Sequence, residues 1–302
     1  MVSTFQSWAV GSQVSLNLGG VSLTVCGSPS IELRLGQGLT SFQTEALQSD
    51  IQIETHSGGC LDSCASETQF DSGAVWKLYH EDSNRVFDFF SPVFGPRPYK
   101  RLRMDSDFRS GELILGNQVC GKESDPCPLE YPADELLITN YLAHHGLGIE
   151  VHGCGVVDAE TGGHLFLGHS GAGKSTTARI WETFRTPEIL SDDRIILRLH
   201  DGELWMYGTP WHGEAAFASP GKAKLNRIHI LRHGTQNRFT SLPQARAVGE
   251  VFARSFPPFH SHLGVERTIE FVRRVLEVVP CFEFEFLPDS SSVAAVLGAA
   301  TS

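Results

Sequence analysis

Over the first 125 or so residues the apolar positions come in short runs, rich in β-branched and aromatic side chains and separated by Gly, Ser, Asn and Asp. That pattern predicts strands over residues 14–18, 21–26, 51–55, 75–79, 86–90 and 112–115, joined by turns. Residues 56–70 are polar and read as a loop. At Pro132 the pattern changes. Acids come early, apolar residues recur at helical spacing up to Ala143, and Gly146 stops the run, which predicts a helix. Beyond it, strands are predicted at 147–157, 164–167, 195–199, 204–207, 228–231 and 282–287. Helical runs lie between them, one ending near Phe184 and others at 243–256 and 265–278, with a short helix closing the chain. Interleaved strands and helices predict an α/β fold. With the break near 126–132, a smaller β-rich (α+β) domain covers 1–128 and an α/β domain covers 129–302.

Composition narrows the function classes. The chain has 302 residues, a length that accommodates two domains, and 41% hydrophobic residues supply a sizeable core. Lys and Arg number 24 against 35 Asp and Glu, a net charge of −11. An acidic chain is a poor candidate for non-specific nucleic-acid binding or for docking on anionic lipid, although a local basic pocket for phosphate is compatible with it. No stretch reaches the roughly 20 apolar residues of a membrane helix. The first 20 residues lack a basic segment followed by a clean apolar one, so no signal peptide is read. Seven cysteines, an odd number in a chain of this size, point to reduced thiols and a cytoplasmic location. Cys60 and Cys64, with Cys120 and Cys127, could assemble a four-thiolate zinc site, but neither spacing is the tight C-x-x-C knuckle.

The strongest chemical signal is Gly168, His169, Ser170, Gly171, Ala172, Gly173, Lys174 and Ser175, followed by Thr176. It matches G-x-x-x-x-G-K-[ST] at every fixed position, with a predicted strand before it and a helix after it. Glycines let the backbone curl so that successive N–H groups face phosphate oxygens. Lys174 supplies a mobile cation for the β- and γ-phosphates, and Ser175 offers a hydroxyl to Mg²⁺. The helix beginning there adds its N-terminal partial charge. Asp192 and Asp193 follow 17 and 18 residues after Ser175. Paired carboxylates beside a triphosphate have two uses: one helps hold Mg²⁺, and the other can accept a proton from an attacking hydroxyl. The N-K-x-D base-reading signature of a GTPase is absent from the chain.

Together these motifs resemble the catalytic domain of the HPr kinase/phosphorylases and their relatives, which share a core with phosphoenolpyruvate carboxykinase. His152-Gly153 at the head of a strand, the loop 168–175, and Leu190-Ser-Asp192-Asp193-Arg194 carry the resemblance, over about residues 147–199. Beyond that span, Gly208-Thr-Pro-Trp-His-Gly-Glu214 and Val279-Pro-Cys-Phe-Glu-Phe284 are similar to a bacterial branch of kinase-like proteins. The resemblance implies a serine phosphotransferase with the HPr-kinase-like P-loop fold, using ATP and Mg²⁺. It implies Lys174 on the phosphates, Ser175 on Mg²⁺, and Asp193 as proton acceptor. Asp192 would sit near the metal or the histidine, and His152 would be the active-site histidine. His145-Gly146 mimics the same pair but needs a longer insertion before the loop. Hexamers occur in the family, so homo-oligomers are among the assemblies it implies.

The departures limit what carries over. The family's Arg-Gly-rich signature with its Mg²⁺-binding Glu is not found, and Glu214, 21 residues after Asp193, is the nearest replacement acid. Neither the phosphorylase reaction nor HPr as substrate transfers. The acceptor is left as a hydroxyl of a protein, a peptide or a small molecule. A second class, an ATP-binding regulatory or accessory module that transfers nothing, is compatible with the same loop; a carboxykinase-type enzyme lacks its arginine constellation here. His169 is a candidate phosphate or substrate contact, Trp211, His212 and Glu214 a candidate pocket wall, and Arg194 a partner for an acid or a phosphate. His260 and His262, two apart, read better as loop residues than as metal ligands.

Overall fold

The computed structural model describes residues 10–300 apart from 12, 29, 30, 32, 46, 47, 65, 74 and 120–127. Cys120 and Cys127, and with them the four-thiolate zinc reading, lie outside the described residues. The order begins β1 (Val10–Gly11), β2 (Gln13–Leu18), β3 (Val21–Gly27), β4 (Leu33–Arg34), α1 (Gln37–Thr40), β5 (Ile51–Ser57) and β6 (Thr68–Asp71). It continues β7 (Trp76–Glu81), β8 (Asn84–Ser91), β9 (Gly95–Met104), β10 (Ser110–Leu115) and α2 (Ala133–His145). Then come β11 (Gly148–Asp158), β12 (Gly162–Leu167), α3 (Lys174–Phe184), β13 (Glu188–Ser191), β14 (Arg194–His200) and β15 (Glu203–Tyr207). The chain closes with β16 (Lys222–His233), β17 (Arg238–Ser241), α4 (Gln244–Phe252), α5 (His262–Val278), β18 (Cys281–Phe286) and α6 (Ser290–Ala300). The result is a mixed α/β protein with two large mixed sheets. It forms two units, divided within α2: 1–17 with 21–141, and 18–20 with 142–302.

The first unit is a sheet in the order β2-β3-β5-β10-β9-β8-β7-β6. Along β5, Ile51, Ile53 and Thr55 are buried while Gln52 and Glu54 face water, the period of two expected of a sheet with one covered face. Strand β9 is not predicted from the sequence, because its run Pro-Tyr-Lys-Arg-Leu-Arg breaks the apolar alternation. Its cations are answered from neighbouring positions. Arg101 lies opposite Asp88 and binds both of its carboxylate oxygens, at 2.6 and 2.8 Å. Lys100 is fully buried, 5.1 Å above the Phe89 ring and 3.3 Å from Glu130.

In the second unit, β11 and β16 are long strands shared between two pairing patterns. β11 pairs with β14 along its first half and with β12 and β13 along its second. β16 pairs with β15 at its start and lies parallel to β12 and β18 further on. Helices cover both faces. Leu165, Leu167, Ile228 and Ile230 pack with Val251 of α4 and Phe271, Val272 and Val275 of α5. Phe166, Leu231, Phe284 and Phe286 pack with Ala178 and Trp181 of α3 and with Val293 and Val296 of α6. This double covering explains why β12 reads as an unbroken buried run rather than an alternation. The helix predicted over 243–256 stops earlier, at Phe252, and Ser255 then bridges to Val151 of β11. The helix predicted from 265 begins at His262, where the Ser261 hydroxyl accepts the Gly264 N–H as an N-cap. Among the described residues no helix is long and apolar enough to cross a membrane.

Candidate active site

The loop 168–173 leaves β12 and turns directly into α3, the strand–loop–helix context its sequence calls for. Gly173 has φ of +100°, and a Cβ there would lie 2.5 Å from the Phe286 ring, so both backbone and packing demand glycine. Lys174 is the first residue of α3 and is 6% exposed. Its Nζ donates to the carbonyls of Gly168 and His169, at 3.1 and 3.2 Å. Burial lowers its proton affinity, and the charges of Asp193 and Asp192 work against that. The ammonium thus rests on the loop's own carbonyls.

The two aspartates at the β13–β14 turn have different surroundings. Asp192 is fully buried and accepts the Ser175 hydroxyl at 2.7 Å. Three main-chain N–H groups also reach it, from Gly213 at 2.9 Å, Ala215 at 3.0 Å and Phe217 at 3.3 Å. Gly213 is required there, because a Cβ would sit 2.8 Å from an Asp192 carboxylate oxygen. Asp193 is partly exposed. Its Oδ1 lies 2.9 Å from His152 Nε2, and its Oδ2 accepts Arg194 Nε at 3.0 Å. Burial opposes its ionisation, but the hydrogen bonds and charges of His152 and Arg194 outweigh that and hold its pKa at about 2. Arg194 also donates to the buried Glu150 at 2.9 Å and stacks 3.8 Å above the Phe256 ring.

His152 is the structural hub. Its N–H donates to the Arg254 carbonyl at 2.7 Å, and its carbonyl accepts the Gly168 N–H at 3.3 Å. The next N–H, that of Gly153, donates to the Asp193 carbonyl at 2.9 Å. Three separate segments, the loop, the aspartate turn and the residues after α4, are therefore fastened to one dipeptide.

Other residues singled out in the sequence fall as follows. His169, Ser170, Gly171 and Thr176 are exposed, and His233 Nε2 lies 2.9 Å from the Gly171 carbonyl. The nearby Arg254 charge, burial and His152 all lower the proton affinity of His169. Trp211 is buried, and His212 and Glu214 are exposed. The contacts of this loop to Asp192 come from main-chain N–H groups, and the Glu214 carbonyl accepts Arg179 at 3.2 Å. His145 ends α2 and packs edge-on against His144 at 4.9 Å. His262 sits near Glu266, 3.5 Å away, at the exposed start of α5. Cys154 is a buried core residue whose thiol pKa burial pushes up. Among the described residues no group of three His, Cys, Asp or Glu side chains could hold a metal ion. Sequence reasoning did not single out Glu150, Glu250 or Arg254. They are scattered over some hundred residues, and only the sheet brings them to the loop.

No family model matches the chain, and no curated protein matches it. Among solved structures it is similar to the HPr(Ser) kinase/phosphatase from Coxiella burnetii, at a TM-score of 0.29 and 12% identity, over 50% of this chain and 95% of that one.

Proposed function

We propose that this protein is an ATP- and Mg²⁺-dependent kinase of the HPr-kinase-like kind. It moves the γ-phosphate to a hydroxyl, a serine in a protein or peptide, or the hydroxyl of a small molecule. The observation that carries this reading is the pairing of a phosphate loop with an ionised carboxylate, Asp193, held by His152 on one oxygen and Arg194 on the other. In the transfer, the acceptor oxygen bonds to the γ-phosphorus as the bond from that phosphorus to the β,γ-bridging oxygen breaks. ADP leaves, and the hydroxyl proton passes to the Asp193–His152 pair. A carboxylate held at so low a pKa is a weak base, so its main contribution is to accept the hydroxyl's hydrogen bond and aim its oxygen. Lys174 gives its loop carbonyls up to the nucleotide phosphates.

The residues present suit Mg²⁺. Ser175 Oγ and Asp192 Oδ2 are hard oxygen donors already 2.7 Å apart. When bound, the ion would neutralise charge on the phosphates. Glu214 is the weaker member of the metal set read from the sequence, since only its neighbours' N–H groups engage Asp192. The acceptor class, a possible association into homo-oligomers, a cytoplasmic site of action and the absence of nucleic-acid or membrane partners belong to this same proposal.

The test uses γ-labelled ATP, Mg²⁺ and a cytosolic extract of the source organism, with Lys174→Ala as control. Label that enters a macromolecular or small-molecule fraction only with the unaltered protein is the expected result. Equal labelling by Lys174→Ala would overturn the assignment of the loop.

A further inference from the structure

We infer that Arg254 forms an oxyanion subsite beside the phosphate loop and contacts the terminal phosphate of a bound nucleoside triphosphate, a role resting on the kinase reading above. Arg254 is 3% exposed. Its Nη1 is taken by Glu250, donating to the carboxylate at 2.6 Å and to the carbonyl at 2.8 Å. Its Nε is buried and has no hydrogen-bond partner among the described residues. A guanidinium presents five N–H donors, and leaving a buried one unmade costs free energy, so a buried arginine with an idle donor has room for a further acceptor, of which an oxyanion makes the strongest bond.

The position of Arg254 follows from two independent tethers. Its carbonyl holds the His152 N–H, and His152 lies level with Gly168 where the loop leaves β12. Its partner Glu250 also binds Arg232 at 2.7 Å. Arg232 is on β16, and Ile230 of β16 is in register with Leu167, so Arg232 stands just past the point where the loop begins. Arg254 is thus fastened to both strands that flank β12, at the level of the loop. Compensation there is incomplete. Arg232, Arg246 and Arg254 share two carboxylates, Glu250 and Glu283. The charges of Arg254 and Arg232 reach the loop, where both lower the proton affinity of His169. An arginine so placed forms charge-assisted bonds that a lysine in the same place would form less well.

The same chemistry would suit a carboxylate on the acceptor, and the experiment separates the two. ATP and ADP binding, each with Mg²⁺, would be measured by titration calorimetry for the unaltered protein, Arg254→Lys, Arg254→Met, Glu250→Gln and Lys174→Ala. The expected result is that Arg254→Met weakens ATP by about tenfold or more and leaves ADP within about twofold, with Arg254→Lys intermediate. Unchanged ADP binding also shows that the variant is folded. Glu250→Gln, which removes a carboxylate but keeps the cation, should not weaken ATP. Equal loss of ATP and ADP, or no loss of either, would overturn the terminal-phosphate contact. Should ATP affinity be unchanged while the KM for an acceptor rises, the anion is the acceptor's, and the proposal fails in that form. Lys174→Ala separates this from the kinase reading: if it leaves both nucleotides bound as before, the loop assignment fails, whatever Arg254 does.

Discussion

Strand β12 has histidines near both ends, and the two sites are opposites. At the loop end, His152 lies against an ionised aspartate and two arginines. Further back along the strand, His164, and His229 level with Phe166, are fully buried, with His164 Nδ1 3.3 Å from His229 Nε2. There the neighbours are rings: Trp181 lies 5.7 Å from His164, and Phe166 4.8 Å from His229. Among the described residues, His164 is linked to a carboxylate through the Thr161 hydroxyl, which donates to Asp158, itself bound to Arg185. Burial, with the Arg227 charge, pushes the His164 pKa down to about 4; burial and His164 push that of His229 well below its ordinary value. The same side chain on one sheet is thus part of a charged cluster where carboxylates answer it, and a neutral core residue where they do not.

The largest effect should come from breaking the charged end. Asp193→Asn should lower phosphoryl transfer by roughly 10²–10⁴-fold while nucleotide binding stays within a few-fold, read from single-turnover transfer and from nucleotide titration. Loss of nucleotide binding instead would make Asp193 part of the phosphate site rather than the acceptor site. Asp192→Ala removes the acceptor for the Ser175 hydroxyl and three N–H groups. It should cost roughly 3 kcal/mol of stability in urea denaturation and abolish Mg²⁺-dependent binding.

The neutral end gives a pH signature. A histidine with depressed proton affinity in the fold binds fewer protons there than in the unfolded chain, so acid favours unfolding. Stability should be whole above the unfolded value of 6.5 and fall as pH drops from 6.5 towards about 4, by roughly 1.4 kcal/mol per pH unit for each proton taken up. Urea midpoints from pH 7 to 5 measure it, and His229→Phe should make the slope shallower. A flat profile in the unaltered protein would contradict the neutral pair. The smallest effect is expected at Lys224–Glu203, an exposed pair 2.5 Å apart. Lys224→Ala should change stability by less than about 0.5 kcal/mol.

How much was legible follows from how local each feature is. The phosphate loop is contiguous, so its glycines, lysine and serine announce themselves together. The alternating β5 and the buried run of β12 likewise carry their own periodicity. Strand β9 does not, because its cations are acceptable only opposite Asp88 and near Glu130, and that pairing is not local. The end of α4 is not local either: the residues past Phe252 have helical apolar spacing but are drawn into a bridge with β11.

By itself, then, the sequence determined a mixed α/β chain, a glycine-rich loop between a strand and a helix, and an aspartate pair at a set distance beyond it. The tertiary structure decided which aspartate is which. Asp192 is turned inward onto Ser175 and three N–H groups, while Asp193 is turned towards His152 and water. It also set His152 against Asp193, left His145 at a helix end, and tied Arg254 to β11 and, through Glu250, to β16. The reason is physical. Adjacent residues have the same sequence context, and only burial, charge and hydrogen-bond partners brought from distant segments give them different chemistry.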